Sequence, residues 1–156
     1  MNKFLLSVHV LTAIIAIGPV TVAASMFPPA ARAALTRPGD AHAAAVSRVL
    51  YRICGIYSAV GLLVVVFGFL TAQSLGVLSQ GWLIAAIALT GLAALVLAFA
   101  VLPAQRDLMD EITAALPVAA AGPTSRRLAM SVGVFNLLWV AVTVLMIIRP
   151  GSTTGV

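Results

Sequence analysis

The sequence predicts an all-α fold: an integral membrane four-helix bundle, residues 1–156 as one domain, with both termini outside and helices two and three extended on the cytoplasmic side. Composition comes first. The chain is 62% hydrophobic and 8% charged, with a mean hydropathy of +1.15. A soluble domain carries about 25% charged residues, and a chain this short has no water-soluble core large enough to hide so much apolar surface. The bilayer is therefore its solvent. The second observation is that Phe4 to Ala31, Ile53 to Ala72, Trp82 to Leu102 and Leu128 to Ile148 contain no Asp, Glu, Lys or Arg. Each reaches the roughly 20 residues that a span needs. With no water to satisfy the backbone each must be a helix, and the short alternating segments of a β-barrel are absent.

The third observation is the placement of charge. Arg32, Arg37, Arg48 and Arg52 fall in the first connection, and Arg106, Arg126 and Arg127 in the third. The second connection, QSLGVLSQG, is uncharged, and the ends carry only Lys3 and Arg149. Cytoplasmic loops collect basic residues, so the first and third connections are expected inside. The acids Asp40, Asp107, Asp110 and Glu111 lie on that side as well. The net charge of +5 thus flanks apolar segments. It forms no basic, aromatic-interleaved element, and no nucleic-acid partner is expected. The bias to Ala and Arg points to a GC-rich bacterial genome, hence a multi-pass protein of the bacterial plasma membrane whose partners are the lipid bilayer and other membrane protein subunits.

Helix one opens MNK and reaches VAAS, as a secretory signal would, but its apolar run is longer than a signal core, so it reads as a retained helix. At about 100° per residue, Thr12, Ala13, Ala16, Val20, Ala23 and Phe27 share the side of His9, while Leu11, Ile14, Ile15 and Val22 point away. Small residues mark helix contacts in membranes, so His9 is expected to look into the bundle. Pro19 frees the carbonyl of Ile15 and, with Gly18, reads as a packing kink.

After the turn RPGD, Asp40 is the expected N-cap of a helix from Ala41 that runs unbroken through AHAAAVSRVLYRICGIYSAVG into the second span. Gly55, Gly61 and Gly68 read as a contact seam on it. Cys54, the single cysteine, reads as a small buried hydrophobe. Trp82 suits the outer interface. The third span is expected to continue through AQRDLMDEITAAL to Pro117, with Leu108, Met109, Ile112 and Leu116 on one face and a bend at Pro103. Gly122-Pro123 reads as the last turn, with Thr124 or Ser125 capping helix four. On that helix Ser125, Ala129, Gly133, Asn136 and Thr143 share a face, Asn136 is the expected interhelical hydrogen bonder, and Trp139 is assigned to packing.

His9 is the chemical question. Translocation needs ionisable groups along a path, and the spans hold one histidine and no acid. A hydrolase site lacks its carboxylate, and metal binding wants three or four ligands. The primary reading is an enzymatically inert neutral imidazole bonded to a hydroxyl or carbonyl across the bundle, with Thr143 matching its depth. The alternative is haem, with His9 as axial ligand and Met146 near its depth, since His42 is on the other side.

The run LSVHVLTAIIAIGPV, through His9, Gly18 and Pro19, resembles the start of a bacterial family of predicted integral membrane proteins of unknown function with four helices. More distantly it resembles the copper-resistance membrane domain and the HemJ type of protoporphyrinogen oxidase, in which a first-helix histidine is linked to haem. This chain lacks the further intramembrane histidines and the lysine at depth. The resulting expectation is a non-enzymatic accessory or structural subunit of a larger membrane complex, respiratory or transport in type, without a cofactor. A haem-binding redox protein using His9 is the alternative.

Overall fold

The computed structural model describes residues 2–114 and 122–151. Its elements are α1 (Asn2–Thr36), α2 (Ala41–Leu75), α3 (Gly81–Val96), a π turn (Leu97–Val101), α4 (Leu102–Thr113) and α5 (Gly122–Ile148), with no strand among the described residues. The α3, π and α4 pieces form one rod of 33 residues, so four helices are long and apolar enough to cross a membrane. The chain is a multi-pass, all-helical membrane protein.

Helix length exceeds what a bilayer asks for. At 1.5 Å per residue the 35 residues of α2 reach roughly 52 Å, against a hydrocarbon core of about 30 Å. The first turns of α2 are held as the sequence predicts: the Asp40 carboxylate accepts from the amides of His42 (3.0 Å) and Ala43 (3.1 Å). Gly39 supplies the positive φ of +92° that the tight α1–α2 turn requires. At its far end α2 stops at Gly76 in the left-handed conformation (φ +68°), whose amide caps Ala72 and Gln73.

Two local expectations need correction. Gly122 and Pro123 are not a turn before the last helix but its first residues. Proline suits a first turn because its missing donor is unneeded there and its φ is already helical. Thr124 and Ser125 therefore stand inside α5, and Ser125 is buried with no hydrogen-bond partner for its hydroxyl. The α4 stem ends at Thr113, and the expected continuation to Leu116 and stop at Pro117 lie outside the described residues.

The π turn precedes Pro103. The amide of Leu102 bonds Leu97, five residues back, instead of Ala98, and Pro103 has no N–H to offer. The register thus slips by one residue where the proline could not have continued it. In α1, by contrast, Pro19, Pro28 and Pro29 are taken into one unbroken helix that runs past Ala31 to Thr36.

The four crossings associate as two pairs. α1 packs along α2, and α3 along α5, while α1–α5, α1–α4 and α2–α4 join them. The main core lies toward the arginine-rich end, where Ala24, Phe27, Ala31, Cys54, Leu108 and Leu128 are fully buried. Val20, Ala93 and Phe135 form a second cluster at mid-depth, and Phe135 meets Trp139 edge to face at 6.3 Å. At the opposite end Trp82 packs with Leu83 and Val77, and the Arg149 guanidinium sits 5.7 Å from the Trp82 ring centre. On α1 the buried set includes Ala16, Val20, Ala23 and Phe27, whereas Leu11, Ile14, Ile15 and Val22 are exposed to the surroundings that in a bilayer are lipid.

Candidate functional site

His9 stands on the first third of α1, half-buried against α2. Its Nδ1 lies 3.1 Å from the carbonyl oxygen of Val64. In a helix that carbonyl already accepts from the amide four residues on, Gly68. The second lone pair is reachable only because Gly68 has no side chain: a Cβ there would sit 2.8 Å from His9 Cε1 and 3.2 Å from Nδ1. Glycine thus opens the backbone of α2 to the imidazole, and the ring fills the space. A carbonyl can only accept, so Nδ1 carries the proton and donates. Nε2 is then the acceptor nitrogen.

The rest of the predicted glycine seam does not share this role. Gly61 is 4.0 Å from Ile17 Cδ1 and Gly55 has nothing within 4 Å. Gly18 likewise has open space around it, so it is a point of backbone freedom beside Pro19 rather than a close helix contact.

Asn136 on α5 donates from Nδ2 to Ser25 Oγ on α1 (3.1 Å), and Ser25 in turn donates to the carbonyl of Thr21 (2.7 Å). This polar joint ties the two helix pairs together. Asn136 Oδ1 and, one turn further, Trp139 Nε1 are buried without partners. The joint also fixes relative depth. Counting along the antiparallel helices from it, Thr143 comes level with Gly18 and Met146 with Ile15. His9 is six residues, roughly 9 Å, nearer the N-terminal end of α1 than the level of Met146. Thr143 is therefore not the partner of His9. It is exposed, and its hydroxyl bonds the carbonyl of Trp139 on its own helix (2.8 Å). Met146, the candidate partner of His9 in a His-Met pair, is offset from it by those six residues. The depth match failed because it assumed equal distances from the span ends, whereas α1 runs on to Thr36.

Gln105 escaped the sequence reading. It is fully buried on α4, with Nε2 3.4 Å from Cys54 Sγ on α2 and Oε1 unpartnered. The signal was present: Val101, Gln105, Leu108, Met109 and Ile112 recur at three- and four-residue spacing, so the apolar stripe of the stem carries one amide. A thiol sulfur is a weak acceptor, and a buried unsatisfied amide oxygen costs about 1–3 kcal/mol. Gln105→Met, of similar shape and without the amide, is expected to raise the unfolding midpoint in detergent. A lowered midpoint would show that the amide has a partner not seen here.

Among the described residues no three of His, Cys, Asp or Glu come together as a metal set. The chain matches no family model, no curated protein and no solved structure.

Proposed function

We propose that this chain is a non-enzymatic accessory or structural subunit of a larger complex in the bacterial plasma membrane, oriented with both termini outside. One observation carries the reading. Among the polar side chains of the spans, His9–Val64 and Asn136–Ser25 join helices, and Thr12, Thr71, Thr90 and Thr143 bond their own backbone. These bonds build a scaffold. The first-helix likeness to four-helix membrane proteins of unknown function agrees with it.

The haem-binding alternative has one observation in its favour. Metal-binding histidines usually donate their other ring N–H to a carbonyl or carboxylate, and the Nδ1–Val64 bond leaves Nε2 in the ligating tautomer. The residues around it do not fit a six-coordinate haem, since Met146 is offset and His42 is outside the spans.

Isolation from native membranes in mild detergent tests both readings. The expected result is a stoichiometric membrane-protein partner and no Soret absorption. A Soret band abolished by His9→Ala would replace the subunit reading with the redox one, and recovery of the chain alone would remove the subunit reading. The orientation has its own measurement. In a Cys54→Ala background, a cysteine between Gln73 and Gly81 is expected to label from outside and one at Gly122 is not. The reverse pattern would invert the topology.

A further inference from the structure

A groove of about 380 Å³ opens on the side of the bundle where the π turn and α4 face the start of α5. Its membrane end is apolar, with Phe99 77% exposed and Ala100 and Pro103 beside it. Its other end is polar, with Asp107 on the α4 wall and Thr124 and Arg127 on the α5 wall, while Ser131 lies one turn deeper, inside span four. Span three ends at Leu102 and span four begins at Leu128 by charge content, so the groove straddles the boundary between hydrocarbon and headgroups.

The two charges in it do not neutralise each other. Among the described residues the ion pair within 4.0 Å is Arg37–Asp40, at 3.8 Å, and Asp107 and Arg127 form none. The groove therefore offers an exposed cation and an exposed anion on facing walls, with an apolar strip leading away from them. A π turn is an uncommon departure from regular helix that recurs at functional sites, and this one forms part of that strip.

We propose that this groove is a seat for a zwitterionic, amine-bearing phospholipid of the phosphatidylethanolamine type, in the leaflet on the arginine-rich side. The phosphate lies against the Arg127 guanidinium and the Thr124 hydroxyl. The primary ammonium donates to the Asp107 carboxylate. One acyl chain runs along Phe99 and Ala100. The charge pattern selects the headgroup: a purely anionic lipid would leave Asp107 opposed by like charge, and a choline headgroup has no N–H to donate to it. This inference is independent of the subunit reading.

Native mass spectrometry of the delipidated full chain, titrated with dioleoyl phosphatidylethanolamine, phosphatidylglycerol and phosphatidylcholine, tests it. The ethanolamine lipid is expected to bind best. Arg127→Gln is expected to weaken its binding roughly fivefold, the factor corresponding to about 1 kcal/mol for one basic residue at a lipid surface. Asp107→Asn is expected to abolish the preference over phosphatidylglycerol. Arg106→Gln, whose side chain is exposed and does not line the groove, is expected to bind as the parent does. Equal or better binding of phosphatidylglycerol by the parent chain would overturn the proposal. So would undiminished preference in Asp107→Asn, or loss of binding in Arg106→Gln equal to that in Arg127→Gln, since a diffuse basic surface would then explain the result. Helical content of each variant, read by circular dichroism, separates lost binding from lost fold.

Discussion

Gly68→Val is expected to part α1 from α2 at the end of the bundle that holds His9 and to lower the unfolding midpoint in detergent more than any other single glycine substitution. Even a Cβ at this position would lie 2.8 Å from the His9 ring, and valine adds two carbons beyond it. The ring has to leave, and its bond to the Val64 carbonyl goes with it. Overpacking costs typically about 1–3 kcal/mol, and an interhelical hydrogen bond in a membrane contributes about 0.6–2 kcal/mol. The combined loss is of the order of 2–4 kcal/mol. Gly55→Ala is the control. It meets nothing within 4 Å and is expected to be neutral or stabilising by about 0.5–1 kcal/mol, because alanine is the better helix former.

The pair also allows a sharper measurement. His9→Ala alone is expected to cost about 1 kcal/mol, the usual net value of a hydrogen bond. Once the ring is gone, Gly68→Ala has room and its penalty should vanish. The double-mutant cycle should therefore show strong coupling between the two positions. Additive effects would mean that the ring and the glycine do not meet.

How much of this could be read from the sequence differs by feature, for physical reasons. The four crossings were legible because bilayer insertion depends on composition over a long window, and Asp40 was legible because an N-cap acts within three residues of itself. The face of α1 was legible because it depends only on the helical period: Ala16, Val20, Ala23 and Phe27 are buried and Ile14 and Ile15 exposed, as that period requires. The partner of His9 was not. It is a backbone carbonyl, a group every residue has, and it is selected by the register of two antiparallel helices and by one missing side chain on Gly68. The same ignorance of register misplaced Thr143 and Met146. Gln105 lay between these cases. Its position on the apolar stripe could be counted along the chain, but its contact with Cys54 depends on how α4 meets α2.

Phe27→Ala is expected to be the most costly truncation in the core. Phe27 and Phe135 are the largest fully buried side chains, and Phe27 sits in the cluster where α1, α2, α4 and α5 converge. In water such a change costs about 3–5 kcal/mol, part from lost transfer and part from the cavity left behind. Within a bilayer the transfer part shrinks, because lipid is as apolar as the core. The cavity part remains, at about 24 cal/mol per Å³, and removing a phenyl ring leaves on the order of 100 Å³, or about 2 kcal/mol. The cluster also includes Leu108 and Met109, beyond the end of span three, where some transfer from water survives. The loss is therefore placed at about 2–4 kcal/mol. Ile14→Ala truncates a smaller apolar side chain, three carbons lost against six, on the opposite face of the same helix, where it is 65% exposed. In detergent or lipid that side chain exchanges one apolar neighbour for another, and the change should cost less than about 0.5 kcal/mol, the usual range for a surface position. The difference between the two variants, measured by equilibrium unfolding in mixed micelles, reports directly which face of α1 the protein packs. Equal losses would mean that Ile14 is covered too, and the natural cover for that face is a second protein.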